Sequence, residues 1–469
     1  MSFELYEYKI EDLGKVITGK TPPSKISDAF SAQGIPFVTP KDMDGRRLID
    51  KTERYLSSQG VEAVRNCLLP QNSIAVSCIG SDMGKTVLLP GESITNQQIN
   101  AIVVDSEHFD YKYVYYYLST LQDDFKAIAG GSATPILNKE HFSQFKVSLP
   151  VKPVQNKIAL ILDSLDTKIE VNTEINHTLE QMAQALFKSW FVDFEPVKAK
   201  MAVLESGGSQ EDATLAAMTA ISGKNADALA VFEREHPEQY AELKATAELF
   251  PLAMQDSELG EIPEGWTLSE IGAQIDIAGG ATPSTKTPDF WDNGDIHWTT
   301  PKDLSNVKDK ILLHTERKIT KAGLGKISSG LLPVNTVLMS SRAPVGYLAI
   351  AKVPVAINQG YIAMKCNKEL SPEFVLQWCS ANMPEIISRA SGTTFAEISK
   401  KNFNPIPLVK PPLELVKNYT KQVSAIYSLI ENTMRENNSL TELRDTLLPK
   451  LLSGEITLPE AEQIISEEA

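Results

Sequence analysis

Gly19-Lys-Thr-Pro22, followed by Ile35-Pro-Phe-Val-Thr-Pro40-Lys41-Asp42, returns later in the same chain as Gly280-Ala-Thr-Pro283 followed by Ile296-His-Trp-Thr-Thr-Pro301-Lys302-Asp303. Pro40 and Pro301 lie 261 positions apart, as do Gly131 and Gly392, Phe142 and Phe403, and Pro150 and Pro411. Asn96-Gln97 matches Asn358-Gln359 at a spacing one larger. A spacing held from residue 19 to residue 150 marks a tandem duplication, and the fold has to be read as one unit used twice.

Each copy opens with about 150 residues rich in Gly, Pro and β-branched runs. Ser73–Val76, Ile99–Val104, Thr336–Met339 and Tyr347–Ala351 read as short strands, and Tyr111–Leu121 and Pro372–Ala381 as helices. Prolines then punctuate a boundary (Pro150 and Pro153; Pro405, Pro407, Pro411 and Pro412), and a long helix follows. In the first long helix Ile158, Leu162, Leu165, Ile169, Asn172, Asn176, Leu179, Ala183 and Leu186 alternate by four and three. The matching residues are Tyr419, Val423, Ile426, Ile430, Thr433, Asn437, Leu440, Arg444 and Leu447. That is a coiled-coil seam, polar at the same two places in both copies. Polar seam residues lower stability but set register, so the two helices are expected to pair with each other. The alternative is that each helix docks only on its own domain. At ~1.5 Å per residue, residues 155–190 span ~54 Å.

The expected organisation is α+β: mixed domains at 1–150 and 266–411, long helices at 151–192 and 412–452, a connector at 193–265 and a tail at 453–469. The connector is helical in tendency over Asp212–Leu249, broken only by Pro237 and opened by a flexible Ser206-Gly-Gly-Ser209. It also carries two thirds of the excess acid, a net −10. Of the net charge of −15, residues 193–265 hold 15 anions against 5 cations, whereas residues 266–411 hold 16 cations against 12 anions. Phosphate binding needs Lys and Arg, and neither mixed domain is strongly basic. If the chain binds DNA, a partner supplies much of the grip.

No run of eighteen apolar residues exists to span a membrane, and Met1–Ile10 has no signal-peptide character. Cys67, Cys78, Cys366 and Cys379 are scattered, which fits a cytoplasmic protein without zinc or disulfides. The six histidines (108, 141, 177, 236, 297 and 314) have no metal-ligand spacing. Neither a base-flipping Pro-Pro-Tyr/Phe tetrapeptide nor a phosphate-cradling glycine loop is present. Glu195-Pro-Val-Lys198 has half of a nuclease pattern but no evident acidic partner. The expectation is a binding subunit without catalytic residues, metal or cofactor.

The chain resembles the specificity subunits of type I restriction-modification systems. The residues carrying the resemblance are Gly280-Ala-Thr-Pro-Ser284, Trp298-Thr-Thr-Pro-Lys302-Asp-Leu304, Ser340-Ser-Arg-Ala-Pro-Val-Gly346, Asn358-Gln-Gly360 and Ser391-Gly-Thr-Thr-Phe395. To these add Ile158-Ala-Leu-Ile-Leu-Asp-Ser-Leu-Asp166 and Phe187-Lys-Ser-Trp-Phe-Val-Asp-Phe-Glu-Pro196. The resemblance implies two target-recognition domains, each reading half of a split double-stranded DNA site. It implies long helices packed as an antiparallel coiled coil that docks two DNA methyltransferase subunits, with restriction and translocase subunits joining through the complex. S-adenosylmethionine, ATP and Mg are then the partners' business. A related enzyme cutting on both sides of its site, a methylation-only complex, or a stand-alone DNA-binding adaptor remain alternatives.

Arg and Lys bridge guanine O6 and N7, and Asn or Gln bridge adenine N6 and N7. The DNA-contacting candidates are therefore Lys41, Arg46, Arg47, Lys85, Asn96, Gln97 and Gln98 in the first domain. In the second they are Lys286, Lys302, Arg342, Asn358, Gln359 and Tyr361. The Thr-Pro-Lys-Asp stretches, identical in both copies, are expected to build a shared turn or hold phosphate rather than discriminate bases. Gly130-Gly-Ser132 and Gly392-Thr-Thr394 are candidates for backbone contacts to phosphate. Cys78-Ile-Gly-Ser-Asp-Met-Gly84 stands where the second copy has Ser341-Arg-Ala-Pro-Val-Gly346, so Arg342 has no evident counterpart in the sequence.

Overall fold

The computed structural model describes residues 3–129, 136–305, 307, 309–342, 344–392 and 396–468. The first mixed domain, or head, is built on an antiparallel sheet ordered Gly14–Thr18, Ile99–Val104, Ser73–Ser77, Thr86–Leu89. Its two central strands are largely buried, which is why they read as apolar runs rather than alternating ones. The second head repeats the order with Asp276–Ala278, Tyr361–Lys365, Val337–Ser340 and Leu348–Ala351, and adds Ile311–Leu312 in parallel at the edge. A smaller sheet is also copied. Tyr55–Leu56, Ile35–Val38 and Ile94–Thr95 match Arg317–Ile319, Ile296–Thr299 and Val355–Ile357, and the last two strands pair in parallel in both heads. Antiparallel ribbons complete each head, Tyr6–Lys9 with Lys146–Leu149 and Thr267–Glu270 with Pro407–Lys410.

The two head helices start by the same device. Asp110 accepts a hydrogen bond from the Tyr113 amide to begin Tyr111–Ser119, and Ser371 accepts one from the Phe374 amide to begin Pro372–Ala381. Such a cap satisfies an amide that would otherwise lack a partner, and Pro372 forfeits nothing at the first position.

The long helices run over Lys152–Phe191 and Leu413–Ser453. The chain divides into two compact units, residues 1–171 with 436–469, and residues 172–435, so each unit joins one head to parts of both helices. In the first unit Asn437 donates to the Ile169 carbonyl (3.4 Å) and Arg444 to Asp166 (2.7 Å). In the second, Thr433 donates to Asn176 and Tyr427 to Glu180 (2.8 Å). Within each unit the partner number falls as the first helix advances, so the pairing is antiparallel. The seam is also the floor of each head. Ile158, Leu162, Leu165, Leu443, Leu447 and Leu451 lie in the first head's core, while Tyr419, Val423 and Ile430 lie in the second's. Each such side chain contributes about 1.5–3 kcal/mol by leaving water.

The seam departs from its expected course on both helices. Leu179 and Leu186 are half-buried, whereas their neighbours Glu180 and Phe187 are buried. Ile426 likewise yields to Tyr427, while Ile169 and Leu440 are half-buried. A helix of 3.6 residues per turn drifts against a 3.5-residue repeat, and here the drift brings Phe187 onto Phe374 of the head (ring centroids 5.2 Å apart).

The connector forms helices Glu195–Glu205, Gln210–Ser222, Ala226–Glu235 and Pro237–Glu248. Pro237 starts a helix instead of breaking one. Ser206–Ser209 is a tight turn rather than a flexible segment: Gly207 takes φ +84° and Ser209 caps the next helix through the Asp212 amide. No described helix is long and apolar enough to cross a membrane.

Candidate nucleic-acid interface

Asp42 turns the Thr39-Pro-Lys-Asp stretch back on itself. Its carboxylate accepts from the Thr39 amide (2.8 Å) and hydroxyl (2.7 Å), and its second oxygen accepts from the Glu53 amide (2.8 Å). Asp303 does the same with Thr300 (2.7 and 3.0 Å) and the Glu316 amide (2.8 Å). Thr-Pro-Lys-Asp is therefore a self-capped turn that leaves Lys41 and Lys302 at the surface. Gly19 and Gly280 each pass so close to a neighbouring strand that a Cβ would meet a backbone carbonyl oxygen at 2.2 and 1.9 Å. Beside them the hydroxyls of Thr21 and Thr282 donate to Gln97 (2.8 Å) and Gln359 (2.7 Å). Asn96 and Asn358 cap the next turn through the amides of Gln98 (3.1 Å) and Gly360 (2.8 Å).

The residues following Glu53 and Glu316 were not among the candidates. Arg54 lies over the rings of Phe30 and Phe37 (4.6 and 5.2 Å to the centroids), and Arg317 over Trp291 and Trp298 (3.6 and 5.5 Å). The aromatic pairs are edge-to-face in both heads. An exposed guanidinium held on a ring face keeps its charge and loses its freedom. The repeat Thr52-Glu-Arg54 and Thr315-Glu-Arg317, at a spacing of 263, was the signal for it.

In the second head Lys302, Arg342 and Asn358 come together around a cavity of about 460 Å³, with Thr300 and Tyr347. Lys302 pairs with Glu316 (2.9 Å), and Lys286 is exposed. Tyr361 is buried, and its hydroxyl donates to the Thr300 carbonyl (2.5 Å), so it props the turn and is withdrawn as a base reader.

Arg47 is withdrawn too. Its guanidinium donates to Asp163 (2.6 Å), to both oxygens of Glu170 (2.9 and 3.0 Å) and to the Tyr116 hydroxyl (3.2 Å). Burial opposes its charge, but the hydrogen bonds from Glu170 and Asp163 outweigh that and raise its pKa. A guanidinium with its donors committed to carboxylates has nothing left for a base edge. Arg46 (with Asp44, 3.0 Å) and Lys85 (with Asp82, 2.7 Å) line, with Arg47, a cleft of about 510 Å³ in the first unit. Gly130–Ser132, Thr393 and Thr394 lie outside the described residues.

Asp105, Glu107 and His108 are the one group of potential metal ligands among the described residues. All are exposed, and His108 bonds Asp105 within a local turn (2.8 Å). Burial pushes the Cys78 thiol up to about 12, which leaves it a poor nucleophile at neutral pH.

A family model described as the type I restriction modification DNA specificity domain matches residues 4–181 and again residues 263–442. The chain belongs to that family. It is 36% identical over 332 residues to the type I restriction enzyme HindI specificity subunit of Haemophilus influenzae, covering 69% of this chain and 71% of that one. It is 24% identical to the MjaIX specificity subunit of Methanocaldococcus jannaschii, covering 96% and 93%. The crystal structure of the type I restriction-modification S subunit from M. genitalium shares the fold, with a TM-score of 0.51 at 15% identity over 96% of each chain.

Within this specificity-subunit fold the strand pairings align the two heads where the sequence could not. Cys78 donates to the Gln98 carbonyl as Ser341 does to that of Gly360, both at 2.8 Å. Ile79 then bridges Ile136 as Arg342 bridges Glu397. The counterpart of Arg342 is Ile79. By the same logic Ser77 bonds the Lys85 carbonyl where Ser340 bonds that of Tyr347, so Lys85 and Tyr347 correspond.

Proposed function

We propose that this chain is the non-catalytic, DNA-reading subunit of a type I restriction-modification complex. Each head reads one half of a split, asymmetric double-stranded site. The paired helices carry two DNA methyltransferase subunits, through which restriction and translocase subunits join. The observation that carries this reading is that the heads share turns, caps and stacked arginines yet differ at Ile79/Arg342 and Lys85/Tyr347. A common frame with local differences suits two readers of different sequences. Helix docking is supported by large apolar side chains left exposed on the first long helix: Leu160 and Val171 in the first unit, Ile175 and Met182 in the second. S-adenosylmethionine, ATP and Mg belong to the partners in this scheme, and the net charge of −15 is consistent with a shared grip on phosphate.

The test is methyl transfer to a randomised duplex library. The chain alone should transfer nothing, and with its methyltransferase subunit it should direct methylation to one split motif. Transfer by the chain alone above a mock preparation would refute the non-catalytic assignment, and methylation without a motif would refute DNA reading.

A further inference from the structure

Arg342 and Glu397 face each other across a β-bridge beside the cavity that also holds Lys302 and Asn358. In the first head Ile79 and Ile136 occupy the same bridge. The backbone around it is copied closely: the Leu137 amide donates to Cys78 and the Ile398 amide to Ser341, both at 3.0 Å. One scaffold thus presents two opposite chemistries at one place.

Ile79 is half-buried, but the other three side chains have little structural reason to be there. The charges of Arg342 and Glu397 are 4.0 Å apart, with 38% and 46% of each side chain exposed, and a loose surface pair contributes little to stability. Ile136 is 54% exposed, so it covers no core. An uncommitted guanidinium is matched to O6 and N7 of guanine, while an exposed aliphatic surface is matched to the C5 methyl of thymine.

We propose that this bridge is the base-discriminating position of each head, with Arg342 taking a guanine in one half-site and Ile79 with Ile136 taking a thymine methyl in the other. The assignment rests on the DNA-reading function above and adds the residues and the bases. Glu397 holds the guanidinium in readiness, releasing it to the base at little cost.

The experiment uses the whole complex with its methyltransferase subunits and a library randomised in both half-sites. Arg342→Ile combined with Glu397→Ile should lower discrimination at a single G·C position of one half-site by roughly 10- to 100-fold, leaving the other half-site untouched. Ile79→Arg with Ile136→Glu should replace a thymine preference by guanine in the opposite half. Arg342→Gln removes the charge and presents an adenine-matched amide in its place, so it should shift the same position from guanine toward adenine with assembly unchanged, and it decides the matter if the double variants fail to assemble. An unchanged motif in active variants, or an even loss across all sequences, overturns the inference alone. A wild-type complex without any motif overturns the function on which it rests.

Discussion

In the first unit Tyr116 of the head donates to Asp166 of the long helix (2.6 Å), and Arg47 and Arg444 bring charge to the same spot. In the second unit the residues 261 positions on are Gln377 and Tyr427. There Gln377 donates to the tyrosine hydroxyl (2.6 Å), and both donate to Glu180, which also takes Lys310 (2.8 Å). The place is copied and the head still donates to the long helix, but the tyrosine has moved from head to helix, and the buried carboxylate comes from the other end of the first helix. Duplication preserved where a head is fastened and not how. A buried carboxylate away from water needs cations and hydrogen bonds as a set, so neither fastening can be converted to the other one residue at a time.

The comparison breaks most visibly at its cations. Arg47→Ala takes the cation from Glu170, leaves Asp163 to Lys112 alone and should destabilise the first unit by about 3–5 kcal/mol, while Lys310→Ala should weaken the second by only about 2–3 kcal/mol, because Glu180 keeps neutral donors in Gln184, Gln377 and Tyr427. All five tryptophans (190, 266, 291, 298 and 378) lie in the second unit. Tryptophan fluorescence therefore reads that unit, and amide hydrogen exchange reads both. Equal shifts of the tryptophan transition in both variants would mean that the units melt as one.

The copied parts should respond alike. Thr39→Ala and Thr300→Ala each remove the hydroxyl bonded to the turn aspartate and should cost about 1 kcal/mol apiece; calorimetric losses differing by more than twofold would show that the turns are not equivalent.

A smaller effect separates the units by pH. Burial works against the Asp163 carboxylate, but hydrogen bonds from Lys112 (2.5 Å) and Arg47 prevail and hold its pKa below the ordinary value. The stabilisation it brings is complete above the carboxylate range of the unfolded chain and disappears as pH falls through the lower folded value. Asp163→Asn should flatten the acid limb of first-unit stability followed by hydrogen exchange between pH 5 and 3, and an undiminished limb would assign it to other carboxylates.

The duplication, the central strands and both long helices were legible in the sequence because each rests on local periodicity or on self-similarity. Arg47 was not, since its partners lie 116 and 123 residues away and a charged letter does not say whether it faces water or carboxylates. The stacked Arg54 and Arg317 escaped because their rings come from other segments of the head. Ile79 could not be matched to Arg342 by spacing: the two loops differ in length, and strand pairing alone aligns them.

The first unit is discontinuous in the chain, and this has a consequence for its birth. Leu443, Leu447, Leu451, Leu452 and Ala461 complete a core whose other buried members precede residue 171. On the ribosome they emerge only after the whole of Asn172–Arg435, a delay of roughly 13–50 s at ~5–20 residues per second. Throughout that time the nascent head keeps an unfilled apolar face, whereas the second unit has all its parts as soon as Arg435 is made. A product released before Glu436 would carry a finished second unit and an unclosed first one, and the exposed face would mark it for chaperones and proteases.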